Sequence, residues 1–228
     1  MDIELYYREK GTGEPFLLLH GNGENGSYFE HQIDYFSGKY RVIALDTRGH
    51  GKSPRGAAPF TIEQFSRDLY EFMEGLSLLH AIILGFSDGA NIAMQFAMKY
   101  PDKMRALILN GGNLDAKGVK RTTQIPIEIG YKIARRFAGR SPGAKRNAEM
   151  LGLMVNEPHI EPWELSQITA PTLVICGTRD MIRESHTREI AGNIPNAKLA
   201  ILRGDHFIAN KRPAEFNREV EHFLETVR

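Results

Sequence analysis

Apolar residues in this chain follow two rhythms. Runs at 16–19, 41–45, 80–84, 106–109, 172–176 and 198–202 are apolar at almost every position, the pattern of strands covered on both faces in a parallel sheet. Between them, apolar residues recur every three or four positions and predict helices. One spans 27–36, one carries Phe65, Leu69, Phe72 and Leu76, one follows residue 88 and stops at Pro101, and one covers about 184–194. A last one starts at Pro213 and carries Phe216, Val220, Phe223 and Val227. Thr61 and Gln64 fit a capping box at the start of the second helix. Residues 3–8 alternate instead, with Ile3, Leu5 and Tyr7 on one side, as in a half-exposed strand. Regular alternation of strand and helix predicts an α/β fold, a mainly parallel sheet of about seven strands with helices on both faces.

One stretch breaks that rhythm. Residues 113–166 hold helical patterns, Ile125, Ile129, Ile133 and Phe137 in one and Met150, Leu151 and Met154 in another, with no clear strand. An insertion where parallel strands end is placed to act as a short helical lid, so the expected organisation is a core of 1–112 and 167–228 and a lid of 113–166. Between Leu114 and Asn156 nine lysines and arginines face three acids. This charge fits the solvated outer face of amphipathic helices, or a mouth that attracts anionic substrates.

Composition narrows the partners. The 228 residues are 42% hydrophobic, enough for one core, and 29 basic against 28 acidic residues leave a net charge of +1. No overall field draws the chain to nucleic acid or membrane, and a small-molecule substrate is expected, with the oligomeric state open. Cys176 is the single cysteine and lies in an apolar run, so no internal disulfide forms. The start lacks a basic, apolar leader, and no run approaches eighteen apolar residues. The expectation is a soluble, cytoplasmic protein.

The chemistry centres on Gly85-Phe86-Ser87-Asp88-Gly89. The pentapeptide G-x-S-x-G is common enough to arise by chance. Here a predicted strand precedes it and a predicted helix follows, the setting in which a sharp turn lifts a serine hydroxyl toward substrate. Serine needs a base to take its proton, and the base needs an acceptor to orient it. Asp180 and His206 each follow a predicted strand, and parallel strands bring their C-terminal ends to one edge. In the order Ser, Asp, His the chain resembles the α/β-hydrolase superfamily, in particular its cap-bearing serine hydrolases: esterases, lactonases, C–C hydrolases and haloperoxidases.

The resemblance extends to His20-Gly21-Asn22-Gly23, similar to the oxyanion loop, and to the loop 46–53. It implies Ser87 as nucleophile, His206 as base, Asp180 as acid, and backbone N–H groups of Asn22 and Asp88 as the oxyanion hole; spacing leaves Gly23 open in place of Asn22. It implies no metal and no cofactor. The family has an additional first strand that this chain begins too late to contain, so seven strands with the first antiparallel are expected. Asp115 is a rival acid, disfavoured because Gly-x-x-Asp at 177–180 fits the pattern better. His20, His50, Asp46 and Asp205 read as loop-shaping residues. Trp163 and Gly23 are candidate pocket residues. Asp88 either pairs with a substrate ammonium or charges the first turn of its helix. The implied activity is hydrolysis of esters or related acyl bonds, with C–C hydrolysis, perhydrolysis and a non-catalytic ligand binder as alternatives.

Overall fold

A computed structural model describes residues 2–227; Met1 and Arg228, which end the two expected core segments, lie outside the described residues. Among the described residues seven strands form one sheet: β1 (Tyr7–Lys10), β2 (Pro15–Leu19), β3 (Arg41–Leu45), β4 (Ala81–Phe86), β5 (Met104–Asn110), β6 (Thr172–Arg179) and β7 (Ala197–Asp205). Their order across the sheet is β1-β3-β2-β4-β5-β6-β7. Only β1 runs antiparallel, pairing Tyr7 with Leu45, while β2, β3 and the rest pair in parallel. Strands β2 to β5 are buried nearly throughout, because helices cover both faces of a parallel sheet.

One face of the sheet is covered by α1 (Glu30–Phe36), α7 (Ile208–Lys211) and α8 (Pro213–Glu225), whose Phe36, Ile208, Phe216 and Phe223 share a core with Phe16, Val42 and Ile108. The other is covered by α2 (Ile62–Gly75), α3 (Asp88–Lys99) and α6 (Glu184–Asn193), whose Leu69, Phe96 and Ile190 pack with Leu17, Ile83 and Leu109. Helix α3 is buried on most sides, from Gly89 to Ala97, which suits its place at the middle of the sheet. Between β5 and β6 lie α4 (Arg121–Phe137), α5 (Pro142–Asn156) and short 3-10 turns.

Two local expectations are corrected. The strand expected at 3–8 forms only from Tyr7, because Tyr6 spends its backbone outside the ladder: its N–H donates to Ser53 Oγ at 2.8 Å and its carbonyl accepts the Asp46 N–H at 2.9 Å. The capping box at Thr61 is half made. Gln64 N–H donates to Thr61 Oγ1, but the Gln64 side chain reaches Asp68 Oδ1 at 3.0 Å. Asp68 holds the guanidinium of Arg48, itself fully buried, through two bonds of 2.6 and 2.7 Å, and a further donor completes that buried acceptor set.

Candidate active site

Ser87 sits between β4 and α3 at φ +54 and ψ −119, a left-handed conformation that costs a residue with a Cβ and persists only where its surroundings enforce it. The two glycines make the bend possible. A Cβ on Gly85 would stand 2.2 Å from the Gly89 carbonyl oxygen, and one on Gly89 2.0 Å from that of Leu19. The turn is thus a close crossing of three backbone segments, and the serine is held half-buried at its apex.

His206 and Asp180 meet beside it. Asp180 follows β6 and His206 follows β7, and His206 Nδ1 lies 2.7 Å from Asp180 Oδ1, both side chains being buried. Asp180 Oδ1 also accepts the Ile182 N–H at 2.9 Å. An ionised carboxylate only accepts, so Nδ1 carries the proton and Nε2 presents its lone pair. The imidazole packs on Phe86, the residue before Ser87, with ring centroids 4.8 Å apart. Ser87 Oγ makes no hydrogen bond among the described residues. Gly111, at φ +66, backs the pair: a Cβ there would meet His206 Cε1 at 2.8 Å.

The loop after β2 faces the elbow. A Cβ on Gly21 would lie 3.1 Å from Ser87 Cβ. His20 fixes this loop from behind: Thr47 N–H donates to its Nε2 at 3.0 Å, which leaves Nδ1–H to donate to the Gly21 carbonyl at 2.7 Å. Burial lowers its pKa to about 4, so the ring is a neutral strut at neutral pH. His50 is also lowered to about 4 by burial and packs between His20 and Phe60. Asp46 accepts the N–H groups of Gly26 and Lys52 at 2.7 and 2.8 Å. These three residues shape backbone.

Backbone donors in the loop separate cleanly. Gly21 N–H is taken by Glu24 Oε2 at 3.2 Å and Glu24 N–H by the Gly21 carbonyl at 3.3 Å, whereas no acceptor engages the N–H of Asn22 or Gly23 among the described residues. The Asn22 side chain is occupied. Its Nδ2 donates to Asp88 Oδ2 and to the Met150 carbonyl of α5, both at 2.9 Å. Asp88 also accepts from Asn91 at 3.4 Å, and burial pushes its carboxyl above the ordinary range against the opposing Asn22 bond and His206 charge.

The segment between β5 and β6 is fastened at its start to the loop after β6. Val119 bridges Ile182, Lys120 N–H donates to the Met181 carbonyl and Arg183 N–H to that of Gly118, each at 2.8 Å, and Lys120 Nζ donates to the Asp180 carbonyl. A cavity of about 290 Å³ opens there, lined by Lys120, Thr123, Arg179, Asp180, His206 and Phe207 among others. A larger one, about 990 Å³, between Leu114, Asn156 and His186, touches none of Ser87, Asp180 and His206.

Asp115 caps the turn at 116–118 by accepting the Lys117 and Gly118 N–H groups, and Asp205 accepts the Phe207 N–H and pairs with Lys211. Trp163 is 66% exposed. Residues the sequence reading missed are Glu24, Gly111 and Lys120. Glu24 is half-buried near the imidazole and its pKa is raised to about 7, by burial first, opposed by the Gly21 N–H and the His206 charge. Its only sequence signal is a carboxylate three residues after the loop glycine. Among the described residues no group of three or more His, Cys, Asp or Glu is placed to hold a metal ion.

The family model for the alpha/beta hydrolase fold matches residues 14–143, more than half of the chain, and the chain belongs to that family. Among curated relatives, 3-oxoadipate enol-lactonase 2 of Acinetobacter baylyi is 27% identical over 252 residues, 96% of this chain and 92% of its own length. The 2-hydroxy-6-oxononadienedioate/2-hydroxy-6-oxononatrienedioate hydrolase of Burkholderia vietnamiensis is 27% identical over 267 residues, 98% of this chain and 91% of its own. Among solved structures, the enol-lactonase of Burkholderia xenovorans shares the fold with a TM-score of 0.83 at 23% identity, over 98% of this chain and 97% of its own.

Proposed function

We propose that the protein is a serine hydrolase that cleaves ester or related acyl bonds of small molecules through an acyl-enzyme. The observation that carries this reading is the strained Ser87 at φ +54 beside a buried His206–Asp180 pair at 2.7 Å. In this mechanism His206 Nε2 takes the Ser87 proton as Oγ attacks the carbonyl carbon. Asp180 holds the ring and stabilises the imidazolium. The proton then passes to the leaving group, and a water deprotonated by the same ring releases the acid. The oxyanion is received by the N–H of Asp88, at the positive end of α3, and that of Asn22, with Gly23 its neighbour in the turn. Residues 113–166 serve as the lid over the site, and the Asn22 to Met150 bond supports that placement. The Asp88 carboxylate acts as an anchor for Asn22 rather than as an ammonium receptor. Its buried free thiol suits Cys176 to a reducing cytoplasm.

A second reading, cleavage of a C–C bond on the same residues, is favoured by the Burkholderia relative named for such a dienedioate substrate. Perhydrolysis needs no further residue. A binding protein without catalysis is disfavoured by the complete set Ser87, His206 and Asp180. The test is turnover of p-nitrophenyl acetate and butyrate by the wild type and Ser87→Ala. A loss of about a thousandfold or more is expected. Turnover that survives the substitution refutes the assignment, and absence of a fluorophosphonate adduct on Ser87 favours the binder.

A further inference from the structure

Helix α4 presents an apolar stripe to solvent. Ile125, Ile129 and Ile133, spaced by four, are 45%, 53% and 56% exposed, while the opposite side packs on α5 through Gly130 and Tyr131 against Leu151 and Gly152. Isoleucine on three successive turns of a solvent-facing surface is unfavourable unless something covers it. Cations share the same face: Lys132 lies three residues from Ile129, and Arg136 lies three from Ile133 and seven from Ile129. Arg121 and Arg135 flank the stripe, and none of these four cations forms an ion pair among the described residues. Glu128 is the single acid of the helix.

We infer that this face of α4 docks on an anionic lipid surface, with the isoleucines entering the headgroup boundary and the cations meeting lipid phosphates. Charge and area both select that occupant. A second copy of the chain would set Lys132 and Arg136 against their own kind, with one glutamate per helix to offset them. The three isoleucines expose on the order of 300 Å² of apolar surface, well short of the ~800 Å² per partner that a stable dimer buries. A nucleic acid would satisfy the cations and leave the isoleucines wet. An interfacial helix needs only a narrow apolar face joined to basic residues. No described helix is long and apolar enough to cross a membrane, and α4 lies on the surface in this arrangement. The overall charge of +1, from which no membrane partner was expected, hides this local excess.

The experiment is flotation of the full chain with phosphatidylcholine vesicles, with and without one third phosphatidylglycerol, at low and high salt. Binding to the anionic vesicles alone, weakened by salt, is expected. Lys132→Glu/Arg136→Glu and, separately, Ile129→Asp/Ile133→Asp should each lower the bound fraction about tenfold or more. Both pairs lie on the solvent-facing side of α4, so the circular dichroism spectrum should not change. The charge pair, wholly on the surface, keeps the test valid if the aspartates perturb the fold. Lack of binding to anionic vesicles, or binding that survives both double variants, overturns the inference. A dimer in light scattering that Ile129→Asp/Ile133→Asp dissolves assigns the face to a second copy and overturns it as well.

Discussion

Asn22 and Asp88 are joined by a 2.9 Å hydrogen bond from Nδ2 to Oδ2, and the same amide reaches the Met150 carbonyl at 2.9 Å. One side chain therefore ties the loop after β2 to the serine elbow and to the insertion. The carboxylate that the sequence offered as an ammonium partner is already engaged inside the protein, with Asn22 and Asn91 as donors. Asp88→Asn can still accept from Asn22, so kcat/KM for amino-acid esters and neutral esters should both stay within about threefold of wild type. Asn22→Ala, which loses both bonds of its amide, should lower kcat about tenfold, equivalent to about 1–2 kcal/mol. A selective loss of amino-acid esters in Asp88→Asn would instead restore the ammonium-binding role.

Contact favours Asp180 over Asp115 as the acid of the proposed mechanism. Asp180 accepts from His206, whereas Asp115 spends its carboxylate on the N–H groups of Lys117 and Gly118. Asp180→Asn puts an amide where only an acceptor holds the productive tautomer, and kcat should fall by about 10³–10⁴-fold. Asp115→Asn should leave it within about twofold. Steady-state kinetics on one p-nitrophenyl ester decide the matter, and the reverse ranking would move the acid to Asp115.

Gly111 has a positional requirement of its own. Alanine at φ +66 is strained, and its Cβ would press on His206 Cε1 from 2.8 Å. Gly111→Ala should cost about 1–3 kcal/mol of stability and lower kcat at least about tenfold, with KM little changed. Unaltered kcat in a folded variant would show that the ring tolerates displacement.

Glu24 makes stability depend on pH. Burial raises its pKa to about 7, so the neutral carboxyl is the form the fold prefers. Between the ordinary carboxylate range and about 7, the unfolded chain has lost this proton while the folded protein keeps it. The contribution is therefore present in full at low pH and is lost as pH rises through about 7. With the shift discounted for partial exposure, the difference is about 1–2 kcal/mol. Glu24→Gln still accepts the Gly21 N–H and removes the ionisation. Its Tm should exceed that of wild type by a few degrees at about pH 8 and converge with it at about pH 5. A Tm difference constant across that range would exclude Glu24 as the source.

The fold was legible because its strands are short, apolar and separated by helices of clear periodicity: the ends of β2 to β7 fall within three residues of the runs that announce them, and those of β3 coincide with its run. The elbow was legible for a local reason, since its glycine-serine spacing sits between a strand run and a helix run, whereas the approach of Gly89 to Leu19 that makes the second glycine necessary was not. Asp180 and His206 could be placed by strand ends alone. Relations that depend on which side chain fills a neighbour's space could not. Asn22 to Met150 spans 128 residues, and Gly111 reveals its purpose only once His206 is beside it. Strand β1 began late for the same reason, because the partners of Tyr6 lie in a loop some forty residues on.

The bridge between Val119 and Ile182 bears on how this architecture can be rebuilt. The first residues after β5 belong, by their hydrogen bonds, to the loop that presents Asp180, so the natural boundary of an exchangeable cassette lies at about residue 121. Chimaeras cut there can receive foreign helices and keep Asp180 in register, whereas those cut at 113 would carry away the brace of the loop that holds it.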